Sequence, residues 1–134
     1  MAADTFSLLL VDDEERVARY LTKRLVRKVC HEDTFTDPKA ALEALEQNPK
    51  RWNVAVVDYM MPRMKGTVLA RQIKIARPHM GIVMVTGLVE SDALQMKQEG
   101  VIDSILLKPV NFAELLGEIH RTVSGKEKDW GDRD

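Results

Sequence analysis

Apolar residues in this chain fall into short continuous runs that alternate with stretches of helical period. Residues 6–11 form such a run, and Val17, Leu21, Leu25 and Val29 then recur every fourth position across 14–29. That spacing lines one face of a helix, so a strand followed by an amphipathic helix is predicted. A weak second strand at 34–36 leads into Asp37-Pro38, which has the N-cap and first-turn chemistry of a helix carrying Leu42 and Leu45 and ending at Asn48-Pro49. The pattern repeats: a strand over 54–57, a helix over 67–76 between Gly66 and Pro78, and a strand over 82–85. A short helix over 92–99, a strand over 105–107 and a last helix over 112–123 complete it, the last with Leu115, Leu116, Ile119 and Val123 inward. Residues 1–124 therefore read as one domain. The remainder, GKEKDWGDRD, reads as a polar, frayed tail or the start of a linker over 125–134.

Strands that are nearly all apolar and separated by helices lie parallel, covered on both faces through right-handed crossovers. The predicted fold class is therefore α/β, a doubly wound (βα)5 sandwich around a five-stranded parallel sheet. In such sheets ligands bind beyond the carboxyl ends of the strands. Polar residues stand there: Asp12 and Asp13 after the first strand, Asp58 after the third, Thr86 after the fourth and Lys108 after the fifth. Each alone has an ordinary role as a cap, a turn residue, a strand-end hydroxyl or a solvated charge. Together they pose an electrostatic problem, because converging carboxylates repel and call for a cation. Hard oxygen donors with no His or Cys pair suit Mg²⁺, and Lys108 supplies a second positive charge. A carboxylate can act as the nucleophile in phosphoryl transfer, which makes Asp58 the candidate acceptor.

Composition narrows the setting. The 134 residues are 45% hydrophobic, enough for one core. No apolar run approaches the roughly 18 residues of a membrane span. Lys and Arg (20) nearly balance Asp and Glu (21), so neither direct nucleic-acid binding nor membrane association is expected. The start, MAADTFSLLLVDDE, lacks the cationic flank and cleavage site of a signal peptide, and the lone Cys30 fits a reducing compartment, so a cytoplasmic location is expected. His31, His79 and His120 are expected at the surface.

The strand-end set resembles the receiver family of two-component response regulators, over roughly residues 6–123, and is similar to its single-domain, chemotaxis-type members. Asp12 and Asp13 match the acidic pair, Asp58 the phosphorylated aspartate, Thr86 the switch hydroxyl and Lys108-Pro109 the Lys-Pro pair. Met61-Pro62 and Gly66 match the loop after the phosphorylated Asp. The resemblance implies a flavodoxin-like fold and Mg²⁺ held by Asp13, Asp58 and the Met60 carbonyl, with Asp12 acting through water. It implies a cis Lys108–Pro109 bond, and a Thr86 hydroxyl that moves to the phosphoryl group, with Gly87 giving it room. It also implies partners: a sensor histidine kinase or phosphotransfer protein as donor, an output domain or effector as target, and a homodimer through the face of the fourth helix, fifth strand and fifth helix. Three departures stand out: Ile105 where an aromatic switch residue is common, Lys65 where a small polar residue is usual, and Gly100 one residue farther from Lys108 than is typical. The resemblance also places Met60 and Leu88, both apolar, beside the path of an attacking water, where they are expected to shield the phosphoryl group.

Two other classes fit less well. A haloacid-dehalogenase-type hydrolase needs a second Asp two residues after the nucleophile, where this chain has Met60. A receiver-like binding module without phosphorylation is expected to lack one or more of the five chemical residues, and none is missing here.

Overall fold

The computed structural model describes residues 6–25, 28 and 31–131. Its elements follow the alternating order: β1 (Ser7–Val11), α1 (Glu15–Leu25), β2 (His31–Phe35), α2 (Pro38–Gln47), β3 (Val54–Asp58), α3 (Gly66–Ala76), β4 (Gly81–Thr86), α4 (Ser91–Gln98), β5 (Ser104–Leu107) and α5 (Phe112–Gly131). All strand pairs are parallel, in the order β2-β1-β3-β4-β5. This is the flavodoxin-like doubly wound arrangement, whose strand order reverses between β1 and β3.

Side chains on alternate positions of the central strands feed two separate cores, as the pleat requires. Leu9, Val11, Ala55, Val57, Ile82 and Met84 pack with Leu45 of α2, Leu69 and Ile73 of α3 and Met96 of α4. Leu8, Leu10, Val54, Val56, Val83 and Val85 pack with Leu21 and Leu25 of α1 and Leu115, Ile119 and Val123 of α5. Two helices therefore cover one face and three the other. Covering both faces is why β3 and β4 are buried at every position. Asp37 caps α2 through its carboxylate, which accepts from the Lys39 N–H at 3.1 Å, with Pro38 in the first turn.

Two boundaries and one side chain stand apart from the sequence pattern. β2 begins at His31 rather than Thr34, although its first residues are polar. Their side chains find partners: Asp33 accepts from Arg51 (2.7 Å) and Trp52 (3.0 Å), and Glu32 accepts from Thr22 and Thr34. α5 continues past Val123 to Gly131, so most of the expected frayed tail is helical backbone. Lys126 on that extension pairs with Asp103 at 3.2 Å, which gives the added turns an anchor. His120 is only partly exposed: its ring meets Phe6 edge-on at 5.6 Å, and its Nε2 is buried without a hydrogen-bond partner. Val29 and Cys30 lie outside the described residues.

Candidate functional site

The switch between β1 and β3 lies where the carboxylates gather. Val11 pairs with Val57 across these strands, so one further step brings Asp12 beside Asp58. Oxygens of Asp12, Asp13 and Asp58 lie within 4.8 Å of one another. Asp12 and Asp58 are each only 3% exposed. β4 and β5 bring up the other half: Thr86 is paired with Leu107, and the Lys108 N–H donates to the Thr86 carbonyl at 2.8 Å. The strand ends thus place all five chemical residues around one crevice. The Lys108–Pro109 bond is cis.

Lys108 is shared. Its Nζ is 3.0 Å from Asp58 Oδ1, 3.5 Å from Glu14 Oε1 and 4.0 Å from Asp12 Oδ2. Burial alone would lower the ammonium's pKa, but the hydrogen bond and charge of Asp58, with Asp12 and Glu14, raise it above its ordinary value. Burial pushes the Asp58 carboxyl up to about 6, with the Asp12 charge adding and Lys108 opposing. Burial raises Asp12 as well, against a hydrogen bond from the Glu14 N–H at 2.9 Å. Both carboxylates are therefore short of positive charge even with Lys108 present.

Thr86 is closed on its own loop. Its hydroxyl donates to the Leu88 carbonyl at 2.8 Å, and the Leu88 N–H donates back at 3.3 Å. A Cβ built at Gly87 would meet nothing within 4 Å, so crowding does not demand glycine there. At Gly66 it does. A Cβ would lie 2.3 Å from the Asp58 carbonyl oxygen, because the Gly66 N–H closes the loop onto the Tyr59 carbonyl at 2.7 Å.

Met60 and Leu88 project their side chains outward, 64% and 68% exposed. Ile105 is half-buried and packs against the core on the α2–α3–α4 side. As a β-branched residue it has little freedom at χ1, unlike an aromatic ring on a rotating bond. Sequence reasoning missed Glu14 as a third carboxylate on Lys108, although its place in the acidic run Asp12–Glu15 was a signal.

The response regulator receiver domain model matches residues 8–120. The chain belongs to that family. It is 33% identical over 114 residues to the heme response regulator HssR of Staphylococcus epidermidis, covering 83% of this chain and 48% of that protein. It is 30% identical over 117 residues to the response regulator receiver protein CpdR of Brucella abortus, covering 87% of this chain and 95% of that one. This receiver thus spans about half the length of HssR and nearly all of CpdR. A CheY-like receiver domain protein from Methanospirillum hungatei superposes with a TM-score of 0.84 at 26% identity, over 94% of this chain and 99% of that one. Among the described residues no helix is long and apolar enough to cross a membrane.

Proposed function

We propose that Asp58 accepts a phosphoryl group from a sensor histidine kinase or a phosphotransfer protein, and that the receiver passes the signal through its α4–β5–α5 face. The observation that carries this is the buried Asp58 carboxylate, 3.0 Å from Lys108 and within 4.8 Å of two further carboxylates. Family membership and the matching strand-end residues support it.

An Asp58 carboxylate oxygen attacks the donor's phosphorus, forming an acyl P–O bond as the bond to the donor breaks. The leaving group, an imidazole nitrogen in a phosphohistidine, keeps the electron pair and takes up a proton. Lys108 lies within reach of oxygen charge that builds on the transferring group. Burial keeps water from competing with these contacts.

The donor set fits Mg²⁺. The oxygens of Asp12, Asp13 and Asp58 cluster with no His or Cys among them, and burial raises two of the three although Lys108 pairs with both. Asp13, Asp58 and the Met60 carbonyl would hold the ion, with Asp12 acting through water. When bound, Mg²⁺ supplies charge neutralisation for the phosphoryl oxygens.

After transfer, the Thr86 hydroxyl exchanges its bonds to Leu88 for one to a phosphoryl oxygen. This biases the β4–α4 region toward its active arrangement. The target is an output domain, an effector protein or a second copy of the chain. The setting is the cytoplasm, and residues from 125 onward lead into a linker in longer regulators.

Acetyl phosphate with Mg²⁺ tests the assignment by intact mass. One phosphoryl group is expected on the wild type and none on Asp58→Asn. A mass shift that persists in the variant, or with the metal chelated, overturns it.

A further inference from the structure

The residue after the phosphoacceptor is tied to α4 by a contact that phosphoryl chemistry does not use. Tyr59 is 2% exposed, and its backbone is fixed on both sides: its N–H donates to the Val85 carbonyl (2.8 Å), and its carbonyl accepts from the Gly66 N–H (2.7 Å). Its hydroxyl runs to α4 and donates to Asp92 Oδ1 at 2.8 Å. The same carboxylate accepts from the Thr67 hydroxyl of α3 at 3.2 Å and from the Ala93 N–H at 2.9 Å. Lys65 completes the group. Its Nζ lies 3.9 Å from Asp92 Oδ2 and 5.6 Å from the centre of the Tyr59 ring. One carboxylate in the first turn of α4 thus gathers donors from the two ends of the β3–α3 loop and from α3.

We infer that Asp92 is a latch that holds α4 in its resting place against the phosphoacceptor strand, through Tyr59, Thr67 and Lys65, and so sets how easily the receiver switches. The inference rests on the proposed switching function. Three observations carry it. α4 is short, eight residues, and its N-cap residue Glu90 makes no side-chain cap, so its start depends on contacts from elsewhere. The Tyr59 hydroxyl is on a buried residue, so a shift of α4 leaves it without an acceptor. The anchor residue Tyr59 directly follows Asp58, and its N–H is bonded to the residue just before Thr86. Lys65, a departure from the family pattern, finds its role here.

The test reads the resting protein first and the switch second. Tyr59→Phe keeps the ring and removes the hydroxyl, and Thr67→Val keeps the shape and removes the other. Amide exchange over residues 91–98 should quicken by about tenfold in Tyr59→Phe, and by less in Thr67→Val, with residues 7–11 unchanged. Weakening only the resting state also raises the fraction able to switch. The beryllofluoride concentration for half-saturation, at saturating Mg²⁺, should therefore fall several-fold. Unchanged exchange over 91–98 in Tyr59→Phe overturns the latch. So does faster exchange with unchanged beryllofluoride affinity, which makes the contact a brace common to both states. Beryllofluoride failing to bind the wild type would instead remove the phosphoacceptor reading, and the latch as a switch element with it.

Discussion

Gly66 shows how tightly the phosphoacceptor loop is wound. The atoms that a Cβ would meet are backbone, the Asp58 carbonyl oxygen at 2.3 Å and the Tyr59 Cα at 2.8 Å, and neither can turn aside. Gly66→Ala should therefore cost about 2–3 kcal/mol, the range of overpacking a site that cannot relax, read from the urea midpoint. An unchanged midpoint counts against so close an approach. Asp13 behaves in the opposite sense. Removing it relieves repulsion with Asp12 and Asp58, so Asp13→Ala should melt at or above the metal-free wild type while losing the stabilisation that Mg²⁺ brings. A full Mg²⁺ response in that variant would refute the donor set.

Among the elements, β2 depends most on polar side chains. The Asp33 Oδ2 atom accepts from both Arg51 and Trp52 and lies 2.7 Å from His31 Nε2. Burial alone would raise this carboxyl, but the bonds from Arg51, His31 and Trp52 outweigh it and hold it below the ordinary carboxylate value. A depressed folded pKa contributes stability above the unfolded value, near 3.9, that is lost as pH falls through the folded one. Asp33→Ala should cost about 1 kcal/mol at pH 7, discounted for partial exposure, and the gap to wild type should close in strong acid. Thermal melts at both pH values check this, and a gap independent of pH would show that the charge contributes nothing. The same strand shows what sequence can and cannot reveal. β3 and β4 were legible because both faces are covered and every position before the last is apolar or glycine. The start of β2 was not, since His31 to Asp33 are satisfied by partners such as Trp52 that only the fold brings near. The crevice was legible because strand ends converge in any parallel sheet, so Asp12, Asp58, Thr86 and Lys108 could be placed together. Tyr59 and Asp92 could not, being 33 positions apart on elements whose mutual placement no local pattern encodes.

On the proposed function, the work of the whole molecule is divided between the strand-end crevice and the α4–β5–α5 face. If the α4–β5–α5 face responds to phosphorylation, beryllofluoride with Mg²⁺ should alter amide exchange across residues 87–120 and leave β1 unchanged. Identical protection in both states speaks against switching. Signal lifetime belongs to the same scale. Met60 and Leu88 offer no polar group to align a water for attack on the acyl phosphate. Met60→Asn combined with Leu88→Glu should lose phosphate several-fold faster than wild type. Equal decay rates would show that these side chains only cover surface.

The small ring that Thr86 makes with Leu88 also bears on timing. Leu88 is exposed, so solvent can take both bonds when the hydroxyl leaves, and no buried group is stranded. Tyr59 has no such replacement when it loses Asp92. The two motions should therefore run on separate clocks, the loop in nanoseconds to microseconds and the helix in microseconds to milliseconds. Relaxation dispersion on the resting protein should find slow exchange at residues 91–98 and none at 87 and 88. On the proposed switch, a hydroxyl that samples its destination early would leave the helix as the pacemaker of the response.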